Sequence, residues 1–326
     1  MMLIGASSRE LSPFVVPDAR PLDRAKFRNS ERTATGERRA HVAIDRLETL
    51  WINTGTLCNL ACKTCYIESS PRNDALVYLT RDEADSYLAE AEALGTREIG
   101  FTGGEPFMNP DMMAMLLSAL GRGFEVLVLT NAMRPMRRFE DALAAIGTCD
   151  RTRLTMRVSL DHYSKAAHEA ERGLNSWDKA IDGCRWLARH GFRLAIAGRR
   201  LGREREEDAR AGYAALFAAE NLPVDAADSA SLVLFPEMDA TADIPEITES
   251  CWEILGVAPQ SMMCASSRMV VKHKGADHPV VIACTLIPFV DEFTLGGTLG
   301  EAMRPVSLNH PHCARFCVLG GASCSS

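Results

Sequence analysis

The sequence has little positive charge to spare, with 36 Lys and Arg against 43 Asp and Glu and a net charge of −7. Without a broad basic field, counterion release along a phosphate backbone gains nothing, so no nucleic-acid partner is expected. No run approaches the roughly 20 apolar residues of a membrane span, and Met1 to Val16 lacks a basic segment followed by a sustained apolar core. The expected location is therefore cytoplasmic, with no membrane partner. Internal repeats and low-complexity segments are missing as well. In a chain without an export signal, the eleven cysteines read as metal ligands and buried thiols, because the cytosol keeps thiols reduced.

What is present is a βα rhythm. Residues 1–46, with Pro13, Pro17 and Pro21, show no sustained period and read as an irregular arm. Apolar runs at 48–54, 97–102, 124–130, 153–160, 192–197 and 230–235 predict strands. Thr80-Arg-Asp-Glu83 has the form of a capping box, Asn109-Pro110 opens a Met- and Leu-rich helix, and Ser176 caps a third that ends at Gly191. In that third helix Cys184 shares the apolar face and reads as core. Strands alternating with helices imply a parallel sheet, closed or partly open. The fold class is thus α/β, with six βα units over 47–240. From 241 to 326 the pattern changes to a predicted hairpin, Ser267–His273 with Pro279–Ala283, and a cysteine-rich tail.

Cys58-Asn-Leu-Ala-Cys62-Lys-Thr-Cys65 follows the first strand directly. Three thiolates on one tight loop can bind three irons of a cubane and leave the fourth iron open to a chelating amine and carboxylate. The competing reading is a closed zinc or four-cysteine site, which needs a fourth ligand that this loop does not contain. One βα unit later comes Gly103-Gly104-Glu105-Pro106, where glycines permit close backbone approach and Glu105 can accept hydrogen bonds from an ammonium. Asn131, Ser159, Asp161 and Arg199 follow the third, fourth and fifth strands. They fall on the C-terminal face, where parallel βα barrels carry their chemistry.

The cysteine loop with Tyr66, and the Gly-Gly-Glu-Pro turn, resemble the signature segments of the radical S-adenosylmethionine (SAM) superfamily. The resemblance implies a partial (β/α)6 barrel, a [4Fe–4S] cluster on Cys58, Cys62 and Cys65, and reductive cleavage of SAM to a 5′-deoxyadenosyl radical. It further implies Tyr66 near the adenine, Gly103, Gly104 and Glu105 at the amino group, Ser159 and Asp161 at the ribose, and Arg199 at the carboxylate. A flavodoxin or ferredoxin-type electron donor is the partner such chemistry expects. Residues 157–183 also resemble members of the family that carry an extra C-terminal cluster domain.

Cys264 and Cys284 flank the predicted hairpin, and Cys313 and Cys317 follow in PHCARFC. The tail resembles the twitch form of the SPASM/twitch auxiliary domain, which implies a second [4Fe–4S] cluster on those four cysteines, with Cys251 and Cys324 outside the set. Four thiolates equally suit a zinc knot, with His310 or His312 as a candidate ligand. The expected activity is hydrogen abstraction from a small molecule or peptide, with the second cluster moving electrons. A transferase reaction on a small acceptor, or a non-catalytic metal scaffold that binds no SAM, are the alternatives.

Overall fold

All six expected apolar runs become strands, each within two residues of the expected bounds. The structure, a computed structural model, describes residues 12–14, 19–202, 204–236 and 239–321. In chain order the strands are β1 (His41–Val42), β2 (Thr49–Asn53), β3 (Glu98–Thr102), β4 (Glu125–Thr130), β5 (Leu154–Ser159), β6 (Arg193–Arg199), β7 (Leu232–Phe235), β8 (Ser267–Val271), β9 (Val280–Ile282), β10 (Thr294–Gly296) and β11 (Val306–Ser307). Strands β2 to β7 pair in sequence order, all parallel. Every residue of β2 and β3 is buried, as a parallel sheet covered on both faces requires. The sheet is open, because β7 ends one edge and β10 the other.

Between the strands run helices whose ends are set by local chemistry. Over Arg81–Ala93 the capping box forms: Glu83 N–H donates to Thr80 Oγ1 at 3.3 Å and Thr80 N–H donates to Glu83 Oε2 at 2.9 Å. Losing such a cap costs about 1 kcal/mol. Helix Met112–Gly121 buries Met112, Met115, Leu116, Ala119 and Leu120. The helix expected to be capped by Ser176 includes that residue as its first turn. Asn175, at φ 62, holds the cap position, and no side-chain cap bond forms. Cys184 on this helix is fully buried core, as its spacing predicts. Helices Lys165–Arg172 and Glu206–Glu220 were not named from the sequence.

The C-terminal hairpin forms with β8 antiparallel to β9, and it continues the large sheet: β8 lies parallel to β2, and β9 leads on to β10. The boundary expected near 240 falls in the segment between β7 and β8. That segment carries an unusual load for a linker, because the N-terminal arm is pinned to it. Arg39 is fully buried, donates to Glu246 Oε1 at 2.5 Å, and fills its other donors with the carbonyls of Asn29, Arg32 and Leu308. The arm also pairs β1 with β11. Among the described residues, no helix is long and apolar enough to cross a membrane.

Candidate active site and thiol clusters

One cavity of about 160 Å3 opens at the C-terminal ends of the parallel strands. Cys58, Cys62, Cys65 and Tyr66 reach it from the loop after β2, and Gly103 and Gly104 from the turn after β3. Asn131 follows β4, Ser159 and Asp161 stand at the end of β5, and Arg199 closes β6. Ten of the eleven residues expected here from the sequence therefore share one wall. The eleventh is Glu105.

Glu105 lies behind that wall, 1% exposed. Its carboxylate accepts from Thr130 Oγ1 and the Asn131 N–H, both at 2.8 Å, and from the Phe107 N–H at 3.4 Å. Burial raises its pKa to about 7 against the pull of those three donors. It thus ties the β3 turn to the end of β4, and its removal would orphan three donors. Glu105→Ala is expected to cost about 2–4 kcal/mol of stability, and Gln less, because an amide oxygen keeps part of the set. A carboxyl whose pKa is raised on folding favours the native state below its unfolded pKa and loses that contribution as pH rises through about 7. The stability of the parent relative to Glu105→Gln should therefore fall between about pH 5 and about pH 8 in thermal melts. A flat difference would mean the carboxyl is solvated.

The two glycines serve a contact within the protein. A Cβ on Gly104 would lie 2.2 Å from the Leu57 carbonyl oxygen, and one on Gly103 2.6 Å from that of Gly55, where φ is also +146°. The Gly104 and Glu105 N–H groups donate to Gly55 and Leu57 at 2.8 and 3.1 Å. The Gly-Gly turn is thus the bed on which the base of the cysteine loop lies.

Helix Lys165–Arg172 supplies what the sequence reading missed. Arg172 lines the cavity and grips Asp161 with two bonds, Nε to Oδ2 at 2.7 Å and Nη2 to Oδ1 at 3.0 Å. Burial alone would raise the Asp161 pKa, but the Arg172 charge overcomes it and holds the carboxyl below its usual range. Next to Arg172, Glu171 is 1% exposed and accepts from the Thr64 N–H at 2.8 Å, the Thr64 hydroxyl at 2.7 Å and the Ser12 hydroxyl at 2.5 Å. Arg199 Nη1 donates to Thr64 Oγ1 at 2.6 Å, and its guanidinium stacks 4.3 Å from the centre of the Phe14 ring. The far side of the cysteine loop is thereby fastened to this helix, to β6 and to the N-terminal arm.

Burial pushes the Cys58 thiol up to about 12 and Cys62 to about 11, so both are neutral until a metal displaces their protons. Among the described residues, no three Cys, His, Asp or Glu side chains converge on a point that could hold one metal ion. Three neighbouring thiols spread around a cavity fit a multi-iron cluster instead, in which each thiolate takes its own iron.

A second, smaller cavity is lined by Cys264, Cys284, Cys313 and Cys317, with His312 beside them. Cys313 and Cys317 lie on one short π-helical turn, Cys313–Val318, which sets them nearly one turn apart. Cys264 precedes β8 and Cys284 follows β9, so the hairpin brings these two together. Burial raises Cys264 to about 12 and Cys313 well above the ordinary range. Cys251 points elsewhere, its sulfur bonded at 3.3 Å by the N–H and the hydroxyl of Thr248. Cys324 lies outside the described residues. His312 is neutral, drawn down to about 4 by burial.

Residues 52–209, which span the cysteine loop and strands β3 to β6, match the Radical SAM superfamily. This region belongs to the radical SAM superfamily. Within it, the chain is 31% identical over 135 residues to mycofactocin maturase MftC of Mycobacterium tuberculosis, covering 41% of this chain and 33% of that one. It is 27% identical over 142 residues to the AdoMet-dependent heme synthase of Nitratidesulfovibrio vulgaris, 43% of this chain and 36% of the relative. The match thus spans about a third of the length of these curated radical SAM relatives. In fold it resembles Streptococcus suis SuiB, crystallised with the precursor peptide SuiA, at TM-score 0.58 and 13% identity over 86% of this chain and 67% of that one.

Proposed function

We propose that this chain is an enzyme that reductively cleaves SAM at a cluster held by Cys58, Cys62 and Cys65 and abstracts hydrogen from a peptide substrate, with a second cluster on Cys264, Cys284, Cys313 and Cys317. The observation that carries the reading is the meeting of the three-thiol loop with the ends of β3 to β6 around one cavity. When bound, the first cluster supplies the electron that breaks a carbon–sulfur bond of SAM, delivered by an external one-electron donor of the flavodoxin or ferredoxin type. The protein's own part is positioning. Arg172 and Arg199 present guanidinium groups to the SAM carboxylate, and the backbone of Gly103 and Gly104 borders the amino group. Ser159 and Asp161 stand at the ribose and Tyr66 at the adenine. Asp161 works first through Arg172, because both its oxygens are engaged there. Leu129, Leu286 and Phe316 complete an apolar wall that keeps water from a reactive intermediate.

The peptide class is supported by the structural neighbour bound to a precursor peptide and by the maturase among the relatives, and the heme synthase supports a small molecule as the second reading. Calorimetry of SAM binding to anaerobically reconstituted protein tests the enzyme reading. Saturable binding is expected, and none would leave a metal scaffold. Deuterium passing into 5′-deoxyadenosine from a labelled precursor peptide, and not from a porphyrin, would settle the substrate class.

A further inference from the structure

Among the described residues Arg39, Arg157 and Arg268 are fully buried, and the first and last of them are treated differently. Arg39 meets a carboxylate, Glu246. Arg268, on β8 and 1% exposed, meets only neutral carbonyls: Nε donates to Ala302 at 2.9 Å, Nη1 to Cys264 at 2.6 Å and Ser267 at 2.7 Å, and Nη2 to Arg304 at 2.9 Å. Among the described residues, no carboxylate lies within ion-pair distance of it. The Nη1 bond to the Cys264 carbonyl sets its charge beside the residue whose thiol, with that of Cys284, faces the four-cysteine cavity.

A buried cation without a partner is costly, and so are buried thiols asked to ionise. The two costs offset each other if the thiols become thiolates around a cluster of net negative charge. We infer that Arg268 is the fixed counter-cation of the cluster held by Cys264, Cys284, Cys313 and Cys317, raising its reduction potential and retaining it in the fold. The inference rests on the proposed second cluster and deepens it. Hydrogen bonds donated to four backbone carbonyls hold the guanidinium rigidly, so its charge cannot swing away to solvent when the cluster changes oxidation state.

The test is a mediator titration of the second cluster, followed by electron paramagnetic resonance with dithionite as reductant, in full-length protein carrying Cys62→Ala so that only the tail cluster is present. Arg268→Gln should make reduction at least tenfold less favourable, about 59 mV for a one-electron couple, and speed loss of iron to a chelator. Arg268→Lys, which keeps the charge, should stay within half that shift. An unchanged potential in a Gln variant with its cluster intact overturns the inference. If the Gln variant does not fold, the Lys variant decides: folding with near-parental potential supports a role for the charge, whereas failure of both shows that the fork of hydrogen bonds matters instead. A Cys62→Ala parent that binds no cluster would overturn the four-thiol reading itself, an outcome distinct from any result on Arg268.

Discussion

Replacing Cys62 by Ala is expected to abolish 5′-deoxyadenosine formation while leaving about four of about eight irons on the protein. The loop after β2 offers three thiols to a cluster, and loss of one leaves two, too few to hold a cubane with a single open iron. The tail cavity is formed by different elements and should load as before. Iron analysis and product chromatography on the same sample check both halves of the statement. Undiminished 5′-deoxyadenosine would remove the loop from catalysis, and loss of all iron from a folded variant would overturn the four-thiol reading of the tail cavity.

The second large effect is expected at Cys284. Its replacement by Ala should remove the tail cluster, halving the iron content, while SAM cleavage continues slowly without completing turnover of the substrate. Cys284 neighbours Cys264 and Cys313 across the small cavity, so its loss opens the ligand set at the centre. Cys251→Ala should retain full iron, since its sulfur is occupied by Thr248 away from that cavity. Mössbauer spectra of the two variants compare them directly. A Cys251 variant as depleted as the Cys284 variant would replace the proposed ligand set.

Much of this arrangement was legible in the sequence because it is local. Apolar runs bounded by turns fixed the six strands, and βα alternation fixed their parallel order. Strand ends then carried Asn131, Ser159, Asp161 and Arg199 to one face whatever the details of packing. The spacing of the tail cysteines around a hairpin likewise brought four of them together. What was not legible depends on partners distant in sequence. The pairing of β8 with β2 joins residues more than 200 positions apart, and no local pattern records it. Glu171 and Arg172 end a helix, Lys165–Arg172, that was not anticipated, and it turns those two inward. The resemblance placed Glu105 at the amino group, whereas its carboxylate is held by Thr130, Asn131 and Phe107, and the close approach its neighbouring glycines permit is to the backbone of Gly55 and Leu57. In both cases charged side chains are buried to hold the cysteine loop in place, a role that composition cannot distinguish from solubility.

The central claim is that the three thiols after β2 form a SAM-cleaving site, and one measurement addresses it most directly. Protein reconstituted anaerobically with iron and sulfide is given SAM and dithionite, and the products are quantified by liquid chromatography with mass detection. The account predicts 5′-deoxyadenosine and methionine in equal amounts, dependent on the reductant. Intact SAM after prolonged incubation of iron-replete protein, with no 5′-deoxyadenosine formed, would contradict it.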